Sequence, residues 1–289
     1  MLQEKIETAI IDILTRVTIK PRPKIIEILN KNFKSEQSEI ARAQLIMMLE
    51  NFKYGKKNKI PVCQDTGMLN FFIELGSNFP LISNYRDLID RAVQRATKLI
   101  PLRGNSVDPI TNENPETNTG INVPPIYLRI VDNKNTLKII VFPKGGGAEN
   151  ISKLFMLNPS NGINIFQEKI IDVLKDAGGM PCPPILLGIG IGGDAVLCMK
   201  LAKEALLRQI EVRNQREDIA RLEMELLEKV NALHIGPMGL GGSLTCIDVH
   251  IEIAMRHPAS FPVGLIVQCY SHRWASFEMD RNGVIIDET

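Results

Sequence analysis

The chain has 289 residues, 44% of them hydrophobic and 23% charged, with a net charge of +1 at pH 7. That composition supports a folded core and excludes a disordered protein. The near-neutral balance gives no basis for nucleic acid or an anionic membrane as partner. No apolar run approaches the roughly 20 residues of a membrane span, and the segment Met1–Glu7 lacks the apolar core of a secretory signal. Five widely spaced cysteines fit reduced thiols in a cytoplasm better than a disulfide framework.

The first hundred residues read mostly as helix. Ile6, Ile10, Ile13 and Leu14 recur with helical spacing over Leu2–Val17, and Pro21 and Pro23 interrupt the pattern. A short second helix is expected to end near Asn32. Ser35-Glu36-Gln37-Ser38 reads as the cap of a third, running to about Tyr54, followed by a basic surface loop over Lys53–Lys59. A fourth helix is expected over Tyr85–Ile100. Arg103–Pro125 is a polar loop of a length that usually marks function or disorder. Ile126–Val131 and Leu137–Phe142 are strand-like, and Asp132-Asn133-Lys134-Asn135 between them is a hairpin signal. Helices are expected at Gln167–Ala177, Asp194–Arg208 and Glu217–Leu233, and strands at Ile185–Ile191, Leu244–Ile253 and Val263–Val267. With no repeat and no convincing linker, the simplest reading is one α+β domain over residues 1–289. It would be helix-rich over 1–100 and sheet-containing over 101–276, its helical N-terminal part packed on a mixed, mainly antiparallel sheet with flanking helices.

The residues able to carry chemistry lie in loops. Cys63, Gln64 and Asp65 stand side by side between Pro61 and Gly67, putting a soft metal ligand beside an amide and a candidate acid/base. Cys182 and Cys269 also border turns. Three isolated cysteines fit either buried structural thiols or a three-thiolate metal site with one open position, and spacing alone leaves both open. Cys198, on a helix face, and Cys246, in a strand, read as structural. Lys144-Gly145-Gly146-Gly147 after a strand fits either an anion-binding turn or a tight turn. Gly188-Ile189-Gly190-Ile191-Gly192-Gly193-Asp194 lacks the spacing of a dinucleotide turn, and Asp194 is better placed as a helix N-cap. His257 fits either an acid/base near Cys269 or a surface loop residue. His250, alternating with Asp248 and Glu252, reads as part of a solvated strand face rather than a metal trio.

Six segments, in this order, cover nearly the whole chain: Cys63-Gln64-Asp65-Thr66-Gly67, Asn118-Thr119-Gly120, Pro143-Lys144-Gly145-Gly146-Gly147, Gly188–Asp194, Gly236–Gly242, and His257-Pro258-Ala259-Ser260-Phe261-Pro262 running to Cys269. Together they resemble the class I, iron–sulfur-dependent fumarate hydratase and L-tartrate dehydratase family. The resemblance implies a [4Fe–4S] cluster held by Cys63, Cys182 and Cys269, with one iron open to a small dicarboxylate. It also implies substrate contacts at Gln64, Asp65, Arg103, Gly146 and His257, with Asp65 and His257 as the proton-handling groups. Single-chain members are longer, so this chain resembles the α subunit of the two-subunit form and implies a separate β subunit in a hetero-oligomer. The implied activity is reversible hydration of fumarate to L-malate, a step of the tricarboxylic acid cycle, with L(+)-tartrate dehydration as the alternative. A non-catalytic metal-binding subunit or a nucleotide-binding module fits less well.

Overall fold

A computed structural model describes residues 2–288. In chain order the elements are α1 (Leu2–Ile19), α2 (Pro23–Ser35), α3 (Glu39–Asn58), β1 (Met68–Gly76), α4 (Tyr85–Leu99), β2 (Ile126–Val131), β3 (Thr136–Lys144), the single turn α5 (Gly146–Glu149), β4 (Lys153–Leu157), α6 (Gly162–Ala177), β5 (Ile185–Gly193), α7 (Ala195–Ala205), α8 (Glu217–Asn231), β6 (Cys246–Arg256), β7 (Phe261–Gln268), β8 (Ala275–Asp280) and β9 (Ile285–Glu288). They form an α+β protein with two sheets, each mixed and mainly antiparallel. The chain divides into two compact units: Met1–Pro21, Asn51–Gly145 and Arg273–Thr289 form the first, Arg22–Glu50 and Gly146–His272 the second. No helix among the described residues is long and apolar enough to cross a membrane.

The first unit is built on the sheet β2-β1-β3-β8-β9. Ile6, Ile10, Ile13, Leu14 and Val17 of α1 and Leu88, Ile89, Ala92, Val93 and Ala96 of α4 bury their stripes against Phe71, Ile73, Ile139, Val141 and Phe277 of the sheet. Here β1 overturns two expectations. It lies within the stretch read as helical, and it separates the two strands read as a hairpin. β2 pairs with β1 in parallel, and β3 pairs with β1 antiparallel. A strand covered on both faces shows no polar alternation, so Leu69, Phe71, Phe72 and Ile73 give no strand period to read. The Asp132–Asn135 turn instead arches over the end of β1. Asn78 N–H donates to the Lys134 carbonyl at 2.9 Å, and a Cβ added at Gly76 would stand 2.5 Å from that same oxygen. The Lys53–Lys59 loop is also corrected. α3 runs on through Asn58, because Phe52 and Gly55 stay buried on its inner face and lysine is a good helix former.

The second unit carries the sheet β4-β7-β5-β6. Phe166, Ile170 and Leu174 of α6 and Leu226 and Val230 of α8 pack with Leu187, Ile189, Val249, Ile251, Val263 and Leu265. α7 lies against the sheet with its backbone almost touching β5. A Cβ at Gly188 would stand 2.0 Å from the Ala202 carbonyl oxygen, and one at Gly190 would stand 2.0 Å from that of Cys198. These glycines therefore admit a helix, which accounts for a pattern that only superficially resembles a nucleotide turn. Asp194 caps α7 as expected, its Oδ1 accepting from the N–H groups of Val196 at 3.0 Å and Leu197 at 2.7 Å. Gly190→Ala is expected to destabilise the protein by about 1–3 kcal/mol or more through overpacking. An unchanged urea midpoint would refute this close approach.

Candidate active site

In the first unit the segment from Pro61 to Gly67 joins α3 to β1. It is anchored at Val62, whose carbonyl accepts from Asn51 Nδ2 at 2.7 Å. Cys63 and Gln64 are exposed, and Asp65 is half-buried. Asp65 Oδ1 accepts from Gly67 N–H at 2.9 Å and from Asn105 Nδ2 at 3.4 Å, closing a turn of the kind Asp side chains make with their own backbone. Its Oδ2 lies against Gly145, where an added Cβ would stand 3.1 Å away. Gly67 has φ 86° and room only for hydrogen, since a Cβ there would meet the Lys144 nitrogen at 2.8 Å. Thr66 is buried and ties in the polar loop: its Oγ1 accepts from Arg103 N–H at 3.1 Å and from Asn105 Nδ2 at 3.0 Å. Asn118, at φ 57°, takes Asn105 N–H on its Oδ1 at 2.8 Å and donates through Nδ2 to Thr97 Oγ1 at 3.1 Å. The long polar loop is thus ordered by its Asn and Thr side chains. It carries the exposed Arg103 guanidinium beside the turn that holds Asp65.

In the second unit four segments meet. Cys182 is exposed at φ 55°. Its N–H donates to the Gly179 carbonyl at 3.0 Å, and its own carbonyl accepts from Tyr270 N–H at 3.2 Å. The residue following Cys269 is therefore bonded to Cys182, and the two cysteines share one corner. Gly146 and Gly147 border that corner, since a Cβ at Gly147 would stand 3.1 Å from the Met180 carbonyl oxygen. The Gly236–Gly242 loop borders it too: Met238 N–H donates to the Pro183 carbonyl at 2.9 Å, and Gly179 abuts the Met238 carbonyl, 2.8 Å from an added Cβ. Glu36 pins the far end of that loop. Its Oε2 accepts from Ser243 N–H and Ser243 Oγ, both at 2.7 Å, while Oε1 accepts from Gln37 and Ser38 N–H. Ser35–Ser38 was legible as a cap. The reach of Glu36 across the chain left no local signal.

His257 is not brought to this corner. It sits exposed in the turn between β6 and β7, its Nδ1 accepting from Ala259 N–H at 3.1 Å. β5 pairs Leu186 with Gln268 and Ile191 with Val263, so Cys182 and Cys269 mark one end of the sheet and His257 the other. The 8 residues of β7 between them span about 26 Å.

On the strand face carrying Asp248, His250 and Glu252, the first two are shut off from solvent and Glu252 is half-buried. Asp248 and His250 are both 1% exposed. His250 Nε2 meets Asp248 Oδ2 and its Nδ1 meets the Ala205 carbonyl, both at 3.0 Å. Arg213 pairs with Asp248, and Arg208 pairs with Glu223 and Glu252. These carboxylates are matched by arginines, which leaves no metal trio. Burial alone would raise the Asp248 pKa, but its hydrogen bonds with His250, Arg213 and the Glu211 N–H, together with the His250 charge, bring it down to about 2. Cys198 and Cys246 donate their thiols to the carbonyls of Ala195 and Asp248, and burial pushes both thiols up in pKa, as structural cysteines require. Within either unit, no three His, Cys, Asp or Glu side chains among the described residues are gathered to hold a metal ion.

Comparison with known proteins bears on the whole chain. A family profile described as "Fumarate hydratase (Fumerase)" matches residues 7–278. A protein of Methanocaldococcus jannaschii, provisionally named L(+)-tartrate dehydratase subunit alpha, is 43% identical over 274 residues, 94% of this chain and 96% of that protein. The L(+)-tartrate dehydratase subunit alpha of Escherichia coli K12 is 34% identical over 239 residues, 83% of this chain and 79% of its own. The Shigella sonnei protein of the same name matches equally.

A folded-state pKa near 2 for Asp248, below its ordinary 3.8, means that its contribution is complete above about pH 4 and is lost as pH falls toward 2. The loss should be on the order of 2 kcal/mol. Acid titration of wild type against Asp248→Asn should show this segment only in the wild type, and parallel curves would contradict the assignment.

Proposed function

The chain belongs to the fumarate hydratase family, and on that footing we propose that it is the α subunit of a two-subunit hydro-lyase acting on L(+)-tartrate. The observation that carries this reading is the near full-length similarity to proteins named as α subunits of that enzyme. Fumarate hydration, the leading expectation from sequence, is supported at the level of the family alone and stands second. The subunit naming of the relatives supports a separate β chain as partner. Loss of water from a 2,3-dihydroxy dicarboxylate yields the enol of a 2-oxo acid, so both readings ask for the same two events: a proton leaves carbon beside a carboxylate, and a hydroxyl departs.

The donor set fits an iron–sulfur group. Cys63 and Cys182 are exposed and Cys269 is half-buried, while the remaining two cysteines, Cys198 and Cys246, are buried. Thiolates suit iron–sulfur clusters, and Cys63, Cys182 and Cys269 would hold a [4Fe–4S] group. When bound, it supplies a Lewis-acidic iron for the departing hydroxyl. The rest is work for the chain. Asp65, oriented by Gly67 N–H and Asn105, is the candidate to take or return the proton on carbon. Arg103 offers its exposed guanidinium to one substrate carboxylate in bidentate fashion. The Gln64 amide and the Gly146 N–H orient the remaining oxygens. His257, a strand length from Cys269 across β7, is not brought to that corner. A dianion calls for more cations than Arg103 and Lys144, and a β chain would provide them.

Anaerobically reconstituted with iron, sulfide and its β chain, the protein should turn over L(+)-tartrate with higher kcat/KM than fumarate, and the chain alone should turn over little. A preference for fumarate would reverse the order of the two readings, and full activity of the chain alone would remove the partner. Cys63→Ser, Cys182→Ser and Cys269→Ser should each lose iron and sulfide. Asp65→Asn should keep them while kcat falls roughly 10²- to 10⁴-fold. An Asp65→Asn variant of undiminished kcat would exclude Asp65 as the proton-transfer group.

A further inference from the structure

Arg273 has no role in the site as described so far, yet its surroundings are unusual. The side chain is buried, 3% exposed, in the unit that also holds Cys63 and Asp65. Its Nη2 donates to the Asp65 carbonyl oxygen at 3.0 Å. Its Nε and Nη1 are buried and meet no acceptor among the described residues. A guanidinium cannot shed its charge, and it carries its five N–H donors in a rigid fork. Burying such a group with donors open is costly unless an anion completes it.

The position identifies the anion. Arg273 is bonded to the backbone two residues beyond Cys63 and follows Cys269 by four residues in the sequence. The side chains assigned to the diffusing substrate, Gln64 and Arg103, are exposed, whereas Arg273 is buried and tied to the segment that carries Cys63. Resting on the cluster reading above, we propose that Arg273 is the outer-sphere cation of the thiolate-ligated iron–sulfur group. Its Nε–H and Nη1–H groups supply hydrogen bonds and positive charge to that group, and Nη2 fixes the guanidinium to the Cys63–Asp65 segment. Net charge and hydrogen bonds to sulfur set the reduction potential of such groups, so the residue tunes and positions rather than touching the reacting atoms.

The test uses the complex with the β chain, reconstituted anaerobically as wild type, Arg273→Gln and Arg273→Lys. Its readouts are iron and sulfide content, the midpoint potential followed by EPR, and kcat and KM separately. At equal loading, Arg273→Gln should have a more negative potential than wild type, because the charge that favours the added electron is gone, and Arg273→Lys should lie between. A residue that merely holds the Asp65 backbone would leave the potential unmoved, and equal potentials at equal loading overturn the proposal. A raised KM with an unshifted potential would make Arg273 a ligand of the substrate carboxylate, which also overturns it. Should Arg273→Gln fail to fold or load, the potential of Arg273→Lys decides by the same criterion. A wild-type complex that takes up no iron and sulfide overturns the cluster reading itself and this proposal with it, and that result differs from a loaded wild type beside an indistinguishable variant.

Discussion

One backbone hydrogen bond, from Tyr270 N–H to the Cys182 carbonyl, holds two thiol-bearing loops at the same corner of the second unit. Neither loop would take this shape alone. Cys182 stands at φ 55°, a left-handed conformation that a non-glycine residue keeps only where its surroundings over-determine it. The surroundings here are backbone contacts: Gly179 against Met238, Met238 N–H on the Pro183 carbonyl, and Gly147 against Met180. Each contact removes freedom from a thiol that is itself exposed. That is the condition for a side chain to be both presented and held, and it explains why so many glycines surround so few reactive groups.

Glycine-rich stretches in this chain therefore have a common reading that differs from phosphate cradling. The glycines of β5 let α7 lie on the sheet, and those of the Gly236–Gly242 loop let the chain fold back on itself, a Cβ at Gly236 falling 1.8 Å from the Gly241 carbonyl oxygen. Gly67 and Gly145 make room for the turn that carries Asp65. Close backbone approach and anion binding ask for the same residue type. Only the identity of the neighbour separates them, and that neighbour is distant in sequence.

The same division governs what could be read in advance. α1, α4, α7 and α8 were legible because each carries an apolar stripe with helical period. β1 was not, because a strand buried on both faces has no alternation, and its insertion between β2 and β3 undid a hairpin that rested on a turn signal alone. At the site, the cysteines and the Asp65 turn were visible as local chemistry. Glu36 and Arg273 were not, since each acts through a partner some two hundred residues away, Ser243 for one and Asp65 for the other. Asp248 and His250 looked like a solvated face because a polar alternation carries no mark of the buried arginines that neutralise it. His257 shows the converse error: a separation of twelve residues from Cys269 looks short, but a fully extended strand lies between them.

The candidate site residues share a property that bears on how a site could be completed. Cys63, Gln64, Arg103, Gly146, Cys182 and His257 are exposed in this chain, and Asp65 is half-buried. Oriented donors and charges stabilise a developing carboxylate far better where water is excluded and the local dielectric is low. The two sides of this chain's chemistry are thus unequal. Groups that order the loops, among them Thr66, Asn118 and Glu36, are buried and hydrogen-bonded within the fold, whereas most of the candidate reactive groups stand open. Loops ordered down to their backbone hydrogen bonds, yet exposed at the candidate groups, leave those groups for a partner to cover. A covering chain that brings cations for a dianion would complete the charge balance and expel the solvent in one association.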